Sequence, residues 1–266
     1  MLVPPYGRHS IPIMLSDLLV LVPLGVVAGL LSGLLGIGGG LVFSPMLLMV
    51  GLAPHQALAT STLAIVPTTL GGTWVHLRQG RVVPAMGLTI GVSAALSGLL
   101  FSRLGGLLSG WQLLGLQALM YLTLTLTISP RQDNEREPSP GPTLLAALAL
   151  VGSVAGFAGG LLGVGGGLLM VPLMIRCLRL PVRESIRLST LAVLCSASAA
   201  SVIFLIGAKA QWEMALILGG SASVAARWSA ARLERVPETV LVQLLRGLTG
   251  LLALDSGRRA FSLLIG

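Results

Sequence analysis

The chain has 266 residues, 54% hydrophobic and 10% charged, with a net charge of +8 and a mean hydropathy of +0.92. A soluble domain carries about 25% charged residues and a disordered chain combines low hydrophobicity with high charge, so both classes are excluded; two cysteines exclude a disulfide-stapled scaffold. The basic residues stand between apolar runs and form no patch interleaved with aromatics, so they read as loop charges that orient a membrane protein, with no nucleic-acid partner.

In chain order, residues 1–17 read as an N-terminal tail without a convincing signal-peptide cleavage site. Stretches free of Asp, Glu, Lys and Arg follow at 18–77, 82–102, 104–130, 138–175, 188–208, 214–226 and 239–245. A hydrocarbon core of about 30 Å needs about 20 apolar residues as helix, so the first stretch holds several crossings. A turn is expected at Leu52-Ala53-Pro54-His55, where Pro54 lacks an N–H and disfavours helix at Ala53. The segment 131–142, with three acidic residues and three prolines, reads as a polar linker between a bundle at 18–130 and a second at 143–266, the two forming one integrated membrane domain.

The bundles repeat each other. Gly33-Leu34-Leu35-Gly36-Ile37-Gly38-Gly39-Gly40-Leu41 matches Gly160-Leu161-Leu162-Gly163-Val164-Gly165-Gly166-Gly167-Leu168 at an offset of 127 residues. Pro45 then falls on Pro172 and Pro54 on Pro181, and one further residue of offset brings Ser61-Thr62-Leu63-Ala64 onto Ser189-Thr190-Leu191-Ala192. Gly25, Gly29 and Gly33, matched by Gly152, Gly156 and Gly160, are small-xxx-small faces that let helix backbones approach in lipid.

The glycine triplets differ from these ladders. Each glycine weakens a helix by roughly 1 kcal/mol relative to alanine, and backbone freed from a helix at membrane depth must line a cavity or be buried in protein. Two readings are open. One is a tight turn near the surface. The other is a helix break, with a helix resuming at Leu41 or Leu168 and its partly positive N-terminus facing an anion, as paired glycine-interrupted segments mark a transporter's binding site. The candidate substrate-binding residues are therefore Gly38, Gly39, Gly40, Thr60, Ser61, Thr62, Gly165, Gly166, Gly167, Ser189 and Thr190. Their hydroxyls either bond their own i−4 carbonyls or a neighbouring helix, or donate to a polar substrate.

Arg187 stands where the first copy has Ala59, and either attracts an anion or ends the loop that carries Arg176, Arg179 and Arg183. His55 and His76 fall at span ends, where solvated histidines are expected. Cys177 and Cys195 have no metal-ligand pattern around them. Gly36 to Leu41 lacks the third glycine and the downstream acid of a dinucleotide fingerprint, and the chain has no P-loop and no catalytic motif. No enzymatic activity, catalytic residue, metal or cofactor is expected.

These motifs resemble the TauE/SafE family of sulfite-exporter-like membrane permeases. The resemblance rests on Gly33 to Gly40 followed by Pro45, on Pro54-His55-Gln56-Ala57-Leu58-Ala59-Thr60-Ser61, and on the second copy Gly160 to Gly167 with Pro172 and Pro181. It implies a multi-pass transporter of the bacterial cytoplasmic (inner) membrane that moves a small anion, typically sulfite or an organosulfonate such as sulfoacetate, without hydrolysing ATP. The implied partners are that anion, a coupling proton or other ion, and the lipid bilayer. Transport of another small anion or ion, or a non-transporting scaffold, are the alternatives. Two departures are Arg187-Leu188-Ser189 in place of Ala59-Thr60-Ser61, and Asp255, Arg258 and Arg259 where a longer apolar last span is expected.

The fold expected is all-α: a polytopic membrane helical bundle of two homologous repeats with paired glycine-broken helices. Arg246, which interrupts the last apolar stretch, is left out of both counts that follow; if residues 41–51 and 168–178 dip in and return, there are eight crossings, the repeats are parallel, and eight basic residues fall on each side. If both segments cross back, there are ten crossings, the repeats are inverted, and the basic residues divide 11 to 5. The second arrangement has the asymmetry of a cytoplasmic side and is the one expected, although about 11 residues at 1.5 Å each reach only about 17 Å.

Overall fold

The computed structural model describes residues 15–80, 82–105, 107–127, 141–163, 165–206 and 210–265. The linker, Arg81, Val164 and Lys209 therefore lie outside the described residues, apart from the linker's last two. Among the described residues ten α-helices form: α1 (Leu15–Leu35), α2 (Gly40–Met49), α3 (Pro54–Arg78), α4 (Pro84–Gly105), α5 (Gly110–Thr127), α6 (Pro142–Leu162), α7 (Gly167–Cys177), α8 (Val182–Ile206), α9 (Trp212–Ala230) and α10 (Glu238–Ile265). A 3-10 turn, Leu233–Arg235, precedes α10. No strand occurs among the described residues.

The local causes are plain. Helices α3, α4 and α6 begin on Pro54, Pro84 and Pro142, where the missing N–H costs nothing and the fixed φ suits the first turn. Among the described residues, five helices are long and apolar enough to cross a membrane: α1, α4, α6, α8 and α10. Helix α10 runs unbroken through the charges expected to shorten it, because Arg259 donates to Asp255 at 2.8 Å one turn away and Arg258 lies 3.7 Å from the same carboxylate. The polarity is inside-out relative to a soluble protein. Leu19, Leu88, Leu100, Val224 and Leu254 face outward, while Thr60, Ser61, Thr68, Thr69, Ser189 and Ser196 are buried.

Glycine ladders set the packing. An alanine methyl at Gly29 would lie 2.2 Å from Ala222 O, and Gly25 and Gly33 meet α9 one turn earlier and one turn later, so α1 and α9 run parallel. Gly152, Gly156 and Gly160 lay α6 along Ile90, Ala94 and Gly98 of α4 in the same sense. The backbones touch because nothing larger than hydrogen intervenes. Gly71 against Ser223, and Gly219 against Ala64 and Pro67, place α3 parallel to α9. Gly87 and Gly91 place α4 parallel to α8 through Leu191 and Cys195.

Helices α3 and α8 cross at the centre in opposite directions: Ser201 reaches Thr62 while Gly72 meets Thr190. Helices α5 and α10 pair antiparallel, Gly115 meeting Ala260 and Thr125 hydrogen-bonding Thr249. Thus α1, α3 and α9 run one way, and α4, α6 and α8 the other. One end of the bundle gathers Pro54, Gly110 and Leu263; the opposite end gathers Arg183, Glu234 and Glu238. His76 does not stand in solvent as expected. It is buried, because the C-terminal turns of α3 are covered by packing against α9.

Candidate functional site

Both glycine triplets are helix breaks within the bundle. Helix α1 ends at Leu35 and α6 at Leu162; the chain resumes helix at Gly40 and Gly167, one residue earlier than the sequence suggests. Gly39 and Gly166 are the N-caps, with φ of 79° and 72°, and Gly38 and Gly165 stand at 76° and 82°. Such angles strain any L-residue with a Cβ, which is the local reason for consecutive glycines. The first N–H groups of α2 and α7 have no carbonyl within their own helices.

The two breaks, 127 residues apart in sequence, meet in space. A methyl at Gly167 would lie 2.7 Å from Gly36 O and 3.0 Å from Ile37 Cα. Gly38 and Gly165 both pack against Ile65 of α3 and Val193 of α8. Those two side chains are themselves 128 residues apart, the offset that separates Ser61 from Ser189.

The candidate hydroxyls surround this junction. Ser189 Oγ donates to Gly36 O at 2.8 Å and lies 3.3 Å from Gly167 O. Ser61 Oγ lies 3.4 Å from Gly40 O and 3.5 Å from Gly163 O. Each serine therefore ties the end of the other half's first helix to the start of its own half's broken helix. Thr62 and Thr190 donate at 2.8 Å to the carbonyls of Leu58 and Ile186 one turn back, and Thr62 also lies 3.4 Å from Gly163 O. Thr60 Oγ1 accepts the N–H of Gln211 at 2.9 Å. All five hydroxyl residues are buried, with exposures of 0 to 1%.

So the structure brings Gly38 to Gly40, Gly165 to Gly167, Ser61, Thr62 and Ser189 to one junction, while Thr190, beside Ser189, bonds its own helix. Thr60, next to Ser61 in sequence, bonds instead to the start of α9. The motif residues Gly36 and Gly163 supply the acceptor carbonyls and belong to the junction too. Ile65 and Val193, which seal it, were visible only as matched apolar positions.

In this arrangement the hydroxyls of Ser61, Thr62, Ser189 and Thr190 are aimed at backbone carbonyls. The donors left for an anion are the N–H groups at the starts of α2 and α7, where the helix dipoles add partial positive charge. The nearest charged side chain along α8 is Arg187, which pairs with Glu184 and Glu234. Among the described residues, no three His, Cys, Asp or Glu side chains come together as metal ligands would.

Comparison with known proteins gives a consistent picture. A family model described as sulfite exporter TauE/SafE matches residues 21–255. A probable membrane transporter protein, YunE, of Bacillus subtilis is 28% identical, over 85% of this chain and 92% of its own. A probable membrane transporter protein of Xylella fastidiosa is 32% identical, over 67% of this chain and 70% of its own. A sulfite exporter TauE/SafE family protein of Arabidopsis thaliana shares 45% identity over 47 residues, 18% of this chain and 10% of its own. No solved structure matches the chain.

Proposed function

This chain belongs to the sulfite exporter TauE/SafE family and is a membrane transporter, and on that premise we propose that it moves a small anion, sulfite or an organosulfonate such as sulfoacetate, across the bacterial cytoplasmic membrane. The observation that carries this reading is the junction of the two glycine breaks, where the starts of α2 and α7 supply backbone N–H groups in a buried setting. A desolvated oxyanion is stabilised by such donors without a counter-cation. A scaffold has no need of irregular backbone inside the bundle. Because the junction is closed to solvent, access requires the two halves to part on one side at a time. Uptake and efflux of labelled sulfite, sulfoacetate and taurine in proteoliposomes, with and without a proton gradient, tests the function. Saturable flux of sulfite or sulfoacetate is expected; absence of flux for both anions overturns the reading.

The same reading makes the two halves inverted repeats with ten crossings. It is supported by matched helix lengths, 21, 10, 25, 22 and 18 residues against 21, 11, 25, 19 and 28. It is supported again by direction, since α1 and α3 oppose their counterparts α6 and α8. Parallel repeats would make α3 and α8 co-directional. Charge sets the orientation. Among the described residues, Arg78, Arg176, Arg179, Arg183, Arg187, Arg227, Arg232 and Arg235 belong to the end with Glu234, and Arg103, Arg258 and Arg259 to the other. The richer end is cytoplasmic by the positive-inside rule, which puts the 131–142 linker inside and both termini outside. Single-cysteine proteins carrying native Cys177, Gln79→Cys or Leu107→Cys test this with a membrane-impermeant thiol reagent in intact cells. Cys177 and the Gln79 variant should both be protected and the Leu107 variant modified. Opposite behaviour of Cys177 and the Gln79 variant would mean parallel repeats.

A further inference from the structure

The first two turns of α8 carry a charged cluster that the glycine junction does not use. Arg183 and Arg187 stand at i and i+4, on one face of the helix. Arg187 donates to Glu184 on its own helix at 3.3 Å and to Glu234 on the turn before α10. Arg183 lies 3.6 Å from Glu234 and 4.0 Å from Glu238, and donates to Val236 O at 3.4 Å. Two guanidinium groups thus clamp α8 to the α9–α10 connection. The side chains of Arg187 and Glu184 keep 13% and 12% of their exposure, so this is a largely desolvated pairing and not a solvated surface bridge.

Its position matters. Arg187 is two residues before Ser189, which holds Gly36 O, and Ile186 O packs beside Gly36 itself. The clamp therefore closes the arginine-rich end directly over the junction. The matching position in α3 is Ala59, and that end is tied by the uncharged Gln211 to Thr60 bond. Three carboxylates share two guanidinium groups here, and Glu184 Oε1 is buried with no hydrogen-bond partner. A guanidinium offers its paired N–H donors equally well to a carboxylate or to a sulfur oxyanion of similar O···O span.

We propose that Arg187 is the binding residue that first receives the anion at this end, and that Glu234 is the anion's competitor for it. The anion takes the donors that Glu234 occupies, the Arg187 arm of the clamp is freed while Arg183 stays on Glu238 and Val236 O, and the way to Ser189 opens. This inference rests on the anion-transport reading above.

The test is the concentration dependence of labelled sulfite and sulfoacetate flux in proteoliposomes for the wild type, Arg187→Gln, Arg187→Lys and Glu234→Gln. Arg187→Gln should raise KM by about tenfold or more, the loss expected for a charge-assisted bond. Arg187→Lys should recover part of it, because charge is kept and the fork is lost. Glu234→Gln should lower KM, since the competitor is weakened while Arg183 keeps Glu238. An unchanged KM in Arg187→Gln overturns the inference, as does a KM raised in Glu234→Gln, which would mark a purely structural clamp. Should Arg187→Gln fail to fold, the sign of the Glu234→Gln change decides alone. Absence of wild-type flux for both anions overturns the transport reading, and this inference with it.

Discussion

Gly166→Ala should leave little stably folded protein, while Gly39→Ala should fold with reduced stability. Both glycines sit at φ between 70° and 80° as N-caps of the broken helices, and a Cβ in that region costs roughly 1–2 kcal/mol. The surroundings then separate them. At Gly166 the added methyl would lie 2.2 Å from Ala155 O and 2.8 Å from Ala155 C, backbone atoms of α6 that cannot move without shifting the helix. At Gly39 the neighbour is the edge of the Phe43 ring at 2.8 Å, a side chain that can rotate away. Thermal unfolding and monodispersity of the detergent-solubilised variants check the difference. A Gly166→Ala protein melting with the wild type would mean that the break is not held as described.

Ser61→Ala with Ser189→Ala should fold and yet lose most transport, by about tenfold or more in initial rate. Each hydroxyl ties one half's broken helix to the other half, and a buried hydrogen bond contributes about 0.5–1.5 kcal/mol net. Losing both leaves the Gly36 carbonyl without its side-chain donor and the Gly163 carbonyl with Thr62 alone, at the point where, on the proposed function, the halves part and rejoin. Ser189→Ala should cost more than Ser61→Ala, because its bond is 2.8 Å long against 3.4 Å and 3.5 Å. Thr190→Ala should cost less than either, since Thr190 bonds only the carbonyl one turn back on its own helix. Initial rates of labelled sulfite uptake, normalised to reconstituted protein, give the order. Wild-type rates in the double variant would place the functional junction elsewhere.

Much of the candidate site was legible because the glycine residues recur at an offset of 127 and the hydroxyl residues at one of 128. Gly38 to Gly40 and Gly165 to Gly167 announce helix breaks through their cost in a helix, and Ser61 and Ser189 follow 21 and 22 residues later. The choice between a surface turn and a buried break was not legible, because it depends on what surrounds the triplet. Ile65 and Val193 were hidden for a simpler reason: an apolar side chain sealing a junction has the same chemistry as one facing lipid. His76 was misplaced for the converse reason, since the charge and polarity at the end of α3 suggest water and only packing covers it.

Composition and local pattern determine, without any coordinates, that this is an all-helical membrane protein, that two segments interrupt their helices in register, and which family the chain resembles. These follow from short-range physics: transfer of side chains into lipid, the cost of glycine and proline in a helix, and the approach that small residues allow. Tertiary structure alone decides that Ser189 meets a carbonyl 153 residues away, that α3 and α8 run oppositely, and that Arg187 is claimed by Glu234 across 47 residues. Each of these depends on which helix faces which, and in lipid that is set by backbone-to-backbone packing along the glycine ladders rather than by the hydropathy of either helix.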